Sequence, residues 1–289
     1  MIISASYRTD VPAFYGEWFL NRLKAGRVSW RNPYGGGLHH LELTPESVDG
    51  FVFWSRNPTP FQFALEQVAA RGWPFVMQVT ITGYPRALET SVPVPEKVID
   101  TLKSIRAAYG PRCLVWRYDP VFLSDLTPPA FHRDQVARLA DLLSGVVDEA
   151  VLSFAQIYAK TRRNSDRAAV RHGFGWRDPE APEKRALLTE LSAILGARGL
   201  KASLCSQPDL LTPGLIPARC VDAERLADQA GHPIAARMKG NRKGCLCAES
   251  RDIGRYDTCP HGCVYCYAVN TASLAKQRHQ AHDPLAEAL

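Results

Sequence analysis

Three cysteines near the C-terminus have a spacing that suits ligation of an iron–sulfur cluster. Cys259, Cys263 and Cys266 follow the pattern C-x-x-x-C-x-x-C, and Gly262 permits a tight turn between the first two. A 4Fe–4S cube has four irons, so three thiolates leave one iron open to a ligand from outside the protein. An open iron points to catalysis rather than to a structural role. The alternative is a zinc knuckle, because closely spaced cysteines also bind zinc, although structural zinc sites usually fill all four positions.

Four further cysteines suffice for a second metal centre. Cys205 ends a predicted strand, Cys220 follows a Pro/Gly-rich connection, and Cys245 and Cys247 follow a polar, basic stretch. Four thiolates hold either an auxiliary 4Fe–4S cluster or one zinc ion, and the predicted iron-loaded neighbour favours the cluster. Alternatively, Cys245 or Cys247 completes the first cluster and closes its open iron. Cys113 lies inside a predicted strand, where a thiol is an ordinary core group.

Apolar runs alternate with helical patterns along residues 1–210. The predicted strands are Ile2–Ser6, Gly50–Trp54, Phe75–Ile81, Cys113–Trp116, Ala150–Phe154 and Lys201–Leu204. Helices are predicted to begin at Pro12 and Pro60 and to cover about Pro95–Ala108, Phe131–Leu143 and Pro182–Arg198. This alternation indicates a parallel sheet covered by helices.

We therefore expect an α/β fold, namely a partial (β/α)6 TIM-like barrel over residues 1–210. An open doubly wound sheet is the alternative. Residues 211–270 are expected to form a cysteine-rich, iron–sulfur-binding extension packed on the barrel mouth, and residues 271–289 a tail that forms a surface helix or is partly disordered.

Polar side chains follow the predicted strands repeatedly. The strand-to-helix loops of an α/β barrel converge on one mouth, so these residues are expected to line it. The planar fork of arginine suits carboxylates and phosphates, whereas Asp and Asn can also simply cap the next helix. The predicted catalytic residues are Arg8, Asp10, Arg117 and Asp119. The predicted cofactor-binding residues are Arg56, Asn57, Tyr265 and Tyr267.

Composition sets broad limits on location and partners. The 289 residues contain no apolar run long enough for a membrane span and no export leader, so a cytoplasmic protein without membrane contact is expected. In that reducing compartment, eight cysteines favour metal ligation over disulfides. The net charge of +6 permits an anionic substrate without requiring one.

Two segments interrupt the alternation of strands and helices. The basic run Lys160–Asn164, which extends to Arg167, Arg171 and His172, is either a solvated face or, if it borders the mouth, an attractor of phosphates. The second case would fit a nucleotide or nucleic-acid substrate. The glycine-rich stretch Trp30–Gly37 lacks the lysine and the spacing of a P-loop and is expected to be a flap or a linker.

The cysteine run C-x-x-G-C-x-Y-C-Y-A, over residues 259–268, resembles that of radical S-adenosylmethionine (SAM) enzymes, in particular the branch similar to spore photoproduct lyase. The resemblance implies that SAM chelates the open iron. It also implies that one electron from the cluster cleaves SAM to a 5′-deoxyadenosyl radical, and that a donor such as flavodoxin or ferredoxin supplies the electron.

Nearly the whole chain resembles the family called domain of unknown function 1848. The stretches that carry the resemblance are Ser4–Tyr15, Arg31–Pro33, Val52–Trp54, Asn57–Pro58, Trp116–Pro120 and Cys245–Ala268. The family is defined by a C-terminal cysteine cluster similar to that of radical SAM enzymes, and it implies no substrate. Tyr7 stands where a second arginine is expected.

The cysteine triplet departs in position from the wider radical SAM superfamily, in which it follows the first strand. Here it follows the last predicted strand, while the first is followed by Arg8, Thr9 and Asp10. The two ends of a barrel sheet are neighbours, so a returning tail can reach the same mouth. No Gly-Gly-Glu segment of the kind that holds the SAM amino group is found.

The sequence thus predicts a radical SAM-type enzyme that acts on an unknown substrate. The net positive charge of the chain is compatible with an anionic substrate. A zinc- or iron–sulfur-stabilised nucleic-acid-binding protein is one alternative. An electron-transfer or redox-sensing protein whose irons all have protein ligands is the other.

Overall fold

The structure, a computed structural model, describes residues 1–33, 35 and 37–289. Tyr34 and Gly36, which belong to the predicted flap, lie outside the described residues. The described strands are β1 (Ile2–Ala5), β2 (Arg27–Arg31), β3 (Leu38–Glu42), β4 (Gly50–Ser55), β5 (Phe75–Thr80), β6 (Leu114–Val121), β7 (Leu123–Ser124), β8 (Glu149–Phe154), β9 (Trp176–Arg177), β10 (Lys201–Leu204), β11 (Ile216–Pro217) and β12 (Ser250–Asp252).

Helices connect most of these strands. The described helices are α1 (Val11–Phe14), α2 (Gly16–Ala25), α3 (Gln62–Ala69), α4 (Pro95–Tyr109), α5 (Pro129–Leu143), α6 (Ala159–His172), α7 (Ala181–Gly196), α8 (Ala223–Ala230) and α9 (Ala272–Gln280). Among the residues that the structure describes, no helix is both long enough and apolar enough to cross a bilayer.

Eight strands form one sheet in the order β11-β10-β8-β6-β5-β4-β1-β12, and every neighbouring pair is parallel. The strands β2 and β3 form a separate antiparallel hairpin, and β7 pairs with β9. The prediction of an α/β chain with a parallel sheet flanked by helices is confirmed.

Successive residues of a strand point to opposite sides of the sheet, and each side is apolar here. On β4, Phe51 and Phe53 belong to the large core beneath the helices, whereas Val52 belongs to a second cluster. That second cluster takes one aliphatic residue from each of five strands: Ile2, Val52, Val76, Val115 and Val151. It also contains Leu226 of α8 together with Cys205, Cys220 and Cys247. On this side of the sheet, the aliphatic residues of the strands therefore pack in one cluster with three cysteines.

The structure extends one predicted strand and adds others. The fourth predicted strand, Cys113–Trp116, continues as β6 through Val121, so Arg117–Pro120 lies inside a strand and not in the loop after it. Asp119 accepts hydrogen bonds from Arg117 and Ser153, and these bonds offset the cost of placing charged side chains in a buried strand. The sequence analysis did not predict β2, β3, β7, β9, β11 or β12.

The short strand β12 determines how the tail returns to the sheet. It pairs in parallel with β1, with Ile2 opposite Ser250. The Asp252 carboxylate is fully buried and accepts hydrogen bonds from Ser4 Oγ, Ser6 Oγ and the Tyr7 amide at 2.7–3.0 Å. The chain that leads to the cysteine triplet therefore leaves the sheet beside the end of β1.

The segment after α9 packs against the N-terminal part of the chain. Trp18 Nε1 donates to the Ala286 carbonyl at 2.9 Å, and the Ser29 amide donates to the Glu287 carbonyl at 2.9 Å. These bonds hold Ala286 and Glu287 against α2 and β2.

A buried histidine on α5 is expected to make stability fall in acid. Burial lowers the pKa of His132 from its usual 6.5 to about 4, and its ring lies against the neutral hydroxyl of Tyr118 at 2.9 Å. Because the folded state binds this proton less tightly than the unfolded state, its stability contribution is complete above pH 6.5 and is lost as pH falls toward 4. Between pH 7 and pH 5 we expect a loss of about 2 kcal/mol in the free energy of unfolding from this residue.

Urea unfolding of the native chain and of His132→Gln at both pH values measures this loss. The pH-dependent difference should be smaller by about that amount in the variant. Equal differences in the two proteins would contradict the assignment.

Candidate functional site

A cavity of about 390 Å³ opens where the strands of the sheet end. Its wall contains residues at or just after the ends of β1, β4, β6, β8 and β10, and two later segments cover it, one around Asn241–Cys247 and one around Tyr256–Ala268. The volume suits a small organic ligand. Seven of the eight cysteines line this single cavity, while Cys113 lies in the core.

The loop that carries the cysteine triplet is hydrogen-bonded to the segment after β5. The Val264 amide donates to the Leu88 carbonyl at 3.0 Å, and the Ser91 amide donates to the His261 carbonyl at 2.9 Å. Gly262 adopts φ +74°, a region that favours glycine. These contacts fix the loop so that Cys259, Cys263 and Cys266 all reach the cavity wall.

The triplet thiols are costly to ionise without a bound cation. Burial is the main cause that raises the pKa of Cys259, of Cys266 and of Cys263, the last to about 12. Ligation requires the thiolate form, so a metal that binds here must displace these protons, and its positive charge must offset the cost of burying three negative groups.

A charged network supports the triplet from the side of β4. Arg56 Nη1 donates to Glu89 Oε1 at 2.6 Å, and Arg56 Nη2 donates to the Tyr265 hydroxyl at 2.9 Å. The same Glu89 oxygen also accepts from Tyr265 and from Thr82. Burial alone would lower the pKa of Arg56, but the neighbouring Cys263 and Glu89 more than offset this and raise it. The guanidinium is therefore a fixed positive charge beside the Cys263 sulfur.

Asp10 holds the triplet loop in place through His261. Its carboxylate accepts hydrogen bonds from the amides of Ala13 and Arg56, and His261 Nε2 lies 2.8 Å from Asp10 Oδ2. Asp10 was predicted to be catalytic. The structure places it in the cavity wall, where it caps α1 and positions a residue inside the cysteine motif.

The other four cysteines meet on the opposite part of the wall. Cys220 Sγ lies 3.5 Å from Cys205 Sγ, and the Val221 amide donates to Cys247 Sγ at 3.3 Å. A hydrogen bond from Cys247 lowers the pKa of Cys245 to about 6. The four thiols therefore form one connected group.

Within residues 1–33, 35 and 37–289, no three His, Cys, Asp or Glu side chains are arranged to hold a single metal ion.

Two arginines reach the four-cysteine group. Arg117 Nη1 donates to Cys220 Sγ at 2.9 Å, and Arg242 Nη2 donates to Cys205 Sγ at 3.4 Å. Arg117 also binds Asp119 and lies 5.1 Å from the centre of the Trp54 ring. These contacts place fixed positive charge against the sulfurs of Cys220 and Cys205.

Arg8 lines the cavity beside β12. Its Nε lies 3.7 Å from Asp252 Oδ1 without a hydrogen bond, and its guanidinium lies over the rings of Tyr7 and Tyr256. Tyr267, at the mouth, donates to the Tyr7 carbonyl at 2.5 Å and is 42% exposed.

Most of the predicted site residues meet in this cavity, and one does not. Asn57 is absent from the described lining; its side-chain oxygen accepts from the Thr59 amide at 3.4 Å, as a turn residue does. Sequence reasoning missed four residues that act here: Glu89, Arg242, Asp252 and His261. Of these, His261 carried a signal because it lies inside the cysteine motif, and Asp252 carried a weaker one because it lies in the stretch Cys245–Ala268 that shows the family resemblance.

Comparison with known proteins identifies the family. The family described as Domain of unknown function (DUF1848) matches residues 2–268, a range that includes both cysteine groups and ends at the last residue of the cavity wall. No curated protein matches the chain. On the strength of a match over almost its entire length, the chain belongs to the family called domain of unknown function 1848.

Proposed function

We propose that the chain is a radical SAM-type iron–sulfur enzyme. In this proposal Cys259, Cys263 and Cys266 hold a catalytic 4Fe–4S cluster, and Cys205, Cys220, Cys245 and Cys247 hold an auxiliary one. The observation that carries it is that both groups of cysteines line one cavity of ligand size, whose wall also contains Arg8, Arg56 and Arg117. When bound and reduced, the catalytic cluster supplies the electron that cleaves SAM to methionine and a 5′-deoxyadenosyl radical.

The donor set fits a cluster with one open iron. Three soft thiolates suit iron–sulfur chemistry. Two other candidate ligands in the cavity wall, Asp10 and His261, are already engaged: both carboxylate oxygens accept backbone amides, and both ring nitrogens face acceptor oxygens. Recruiting either of them as a fourth ligand would therefore break buried hydrogen bonds.

The contacts of Cys245 and Cys247 support two separate clusters. The sulfur of Cys247 accepts from the Val221 amide, and Cys245 bonds to Cys247, so both belong to the group around Cys220. Recruiting either of them to the triplet would break up that group. This argues against the alternative in which one of them closes the first cluster.

The chain's own side chains would bind and enclose SAM and the substrate. Arg8 and Arg117 are guanidinium groups in the wall that suit a carboxylate or a phosphate. Trp54, Tyr256 and Tyr267 add ring surface that would keep water from a reactive intermediate. We place the substrate, whose identity is open, in the same cavity.

The order of the strands supports a partial barrel. From β1 to β11 the main-sheet strands lie in the order of the chain, without the reversal that creates the switch point of a doubly wound sheet. The last strand, β12, pairs with the other side of β1, at the edge opposite β11. This order fits a sheet that curves in one direction, as the sheet of a partial barrel does. We therefore prefer a partial TIM-like barrel with the cysteine-rich extension over its mouth.

Anaerobic purification followed by spectroscopy tests the proposal. We expect a brown protein with about eight irons per chain, four for each cluster, and with matching sulfide. Addition of SAM should change the EPR spectrum of the reduced protein, and 5′-deoxyadenosine should accumulate. A colourless zinc protein with salt-sensitive oligonucleotide binding would instead favour the nucleic-acid-binding alternative. Clusters that ignore SAM would favour an electron-transfer protein.

A further inference from the structure

A second cavity, of about 340 Å³, lies against the triplet loop. Its wall includes Cys259, Cys263 and Cys266 together with residues of α6 and the start of α9. The three cysteines thus separate two spaces. The larger contains the strand-end arginines and the four other cysteines, whereas the smaller contains neither.

The C-terminal half of the basic run faces the smaller cavity. Arg167, Arg171 and His172 of α6 line it, and none of the three is among the residues that line the larger cavity. At the start of the run, Lys160 Nζ lies 5.3 Å from the centre of the Tyr256 ring, which belongs to the wall of the larger cavity. The run therefore reaches both cavities, with two of its arginines at the smaller one.

The exposed surface of α6 has a strong positive charge. Lys160, Arg162, Arg163, Arg167 and Arg171 are opposed on this helix by a single acid, Asp166. The side chains of Arg167 and Arg171 are exposed and make no ion pair or hydrogen bond with the part of the chain that the structure describes. Val170, three residues after Arg167 on the same helix, has 89% of its surface exposed. An exposed apolar residue near two unpaired arginines has the character of a weak, transient interface.

We propose that this face of α6 docks an acidic one-electron carrier protein, which reduces the cluster on Cys259, Cys263 and Cys266 through the smaller cavity. The inference rests on the proposed function. Two observations carry it. The smaller cavity reaches the triplet from a side that remains open when SAM and substrate occupy the larger cavity. The unpaired positive charge of α6 complements the negative surface of an acidic partner. One electron leaves the reduced carrier and enters the oxidised cluster, and the carrier is oxidised by one electron.

A nucleic acid is the competing occupant of a basic surface. Single-stranded nucleic acids are usually bound by aromatic side chains on which bases stack. The described wall of the smaller cavity consists of small, polar and basic residues together with two histidines, and the exposed apolar residue of α6 is a valine. A positively charged surface without Phe, Tyr or Trp rings in this described wall favours a folded acidic protein over a single-stranded nucleic acid as the partner.

The test compares two electron sources for the same cluster. Cluster-loaded native protein and the double variant Arg167→Glu/Arg171→Glu are mixed anaerobically with reduced flavodoxin or with dithionite, and the bleaching of the visible absorbance is timed. Charge reversal should slow reduction by flavodoxin about tenfold or more at low ionic strength. The difference should shrink with added salt. Reduction by dithionite, which needs no docking, should keep its native rate.

A matched control separates docking from total charge. Lys24→Glu/Lys97→Glu makes the same change in net charge at exposed lysines on α2 and α4 and should reduce normally. Equal slowing by this control, an unchanged rate in the α6 variant, or loss of oligonucleotide binding with flavodoxin reduction intact would each overturn the proposal. A chain that takes up no iron would instead refute the proposed function itself, and iron analysis shows this separately.

Discussion

Cys263→Ala is expected to lose about four of its irons per chain and to cleave SAM more than about 100-fold more slowly than the native chain. Cys263 lies at the centre of the triplet, beside the fixed charge of Arg56. The loss of a hydrogen-bonding residue that merely supports a metal ligand typically costs 10–100-fold in affinity or activity, so loss of the ligand itself should exceed about 100-fold. Iron and sulfide assays, together with 5′-deoxyadenosine formation after reduction, measure both effects.

Cys113→Ala provides the matched control for losing a thiol. Cys113 is buried in the core and donates to the Gly110 carbonyl at 3.1 Å, and burial raises its pKa to about 12. This variant should keep all its irons and lose only about 1 kcal/mol of stability, the usual worth of one hydrogen bond. If Cys263→Ala keeps its full iron content, or if Cys113→Ala loses as much, the triplet is not a cluster site.

The buried strands were predictable because their residues are apolar on both sides of the sheet. The prediction for β10 agrees with the structure, and those for β4, β5 and β8 differ by one residue at one end. Parallel strands covered on both faces read as continuous apolar runs, so pattern alone finds them.

The strand β12 could not be found in this way. Its sequence, Ser250–Asp252, has no apolar residue, and it becomes a strand only because β1 offers it a free edge and Ser4 and Ser6 bind its aspartate. Such a contact joins residues almost 250 positions apart, and no local pattern contains it. The helix α6 was missed for a related reason: its polar composition hid a helix that is anchored mainly by small buried residues such as Thr161 and Ala168.

The site shows the same division. The short spacing of Cys259, Cys263 and Cys266 marked the triplet, whereas Cys205, Cys220, Cys245 and Cys247 were grouped only by residue type, and the fold brings those four together. Glu89 and Arg242 come from segments without a motif, and only the folded chain brings them against Arg56 and Cys205. Asp10 was predicted to follow the first strand, but the sequence did not indicate that its carboxylate contacts the Arg56 amide and His261.

Cys220→Ser is expected to lose about half of the iron while the SAM-dependent change in the EPR spectrum of the triplet's cluster persists. Cys220 lies between Cys205 Sγ at 3.5 Å and Arg117 Nη1 at 2.9 Å. Serine keeps an acceptor for Arg117 at nearly the same size, so the fold should survive. A hydroxyl is a much poorer ligand for iron than a thiolate. Iron content and EPR spectra recorded with and without SAM measure the two effects.

The pair of variants decides how the two groups of cysteines divide the metal. If each group holds its own cluster, Cys220→Ser and Cys263→Ala lose complementary halves of the iron, and only Cys263→Ala loses the response to SAM. If Cys245 or Cys247 instead closes a single cluster, the native chain should contain about four irons. Disrupting the four-thiol group should then alter the EPR signal of that one cluster. Native iron in Cys220→Ser would show that these thiols bind no metal, and loss of zinc rather than iron would identify a zinc site. The contacts of Cys245 and Cys247 with their own group, and the buried hydrogen bonds that already engage Asp10 and His261 in the cavity wall, favour the first outcome.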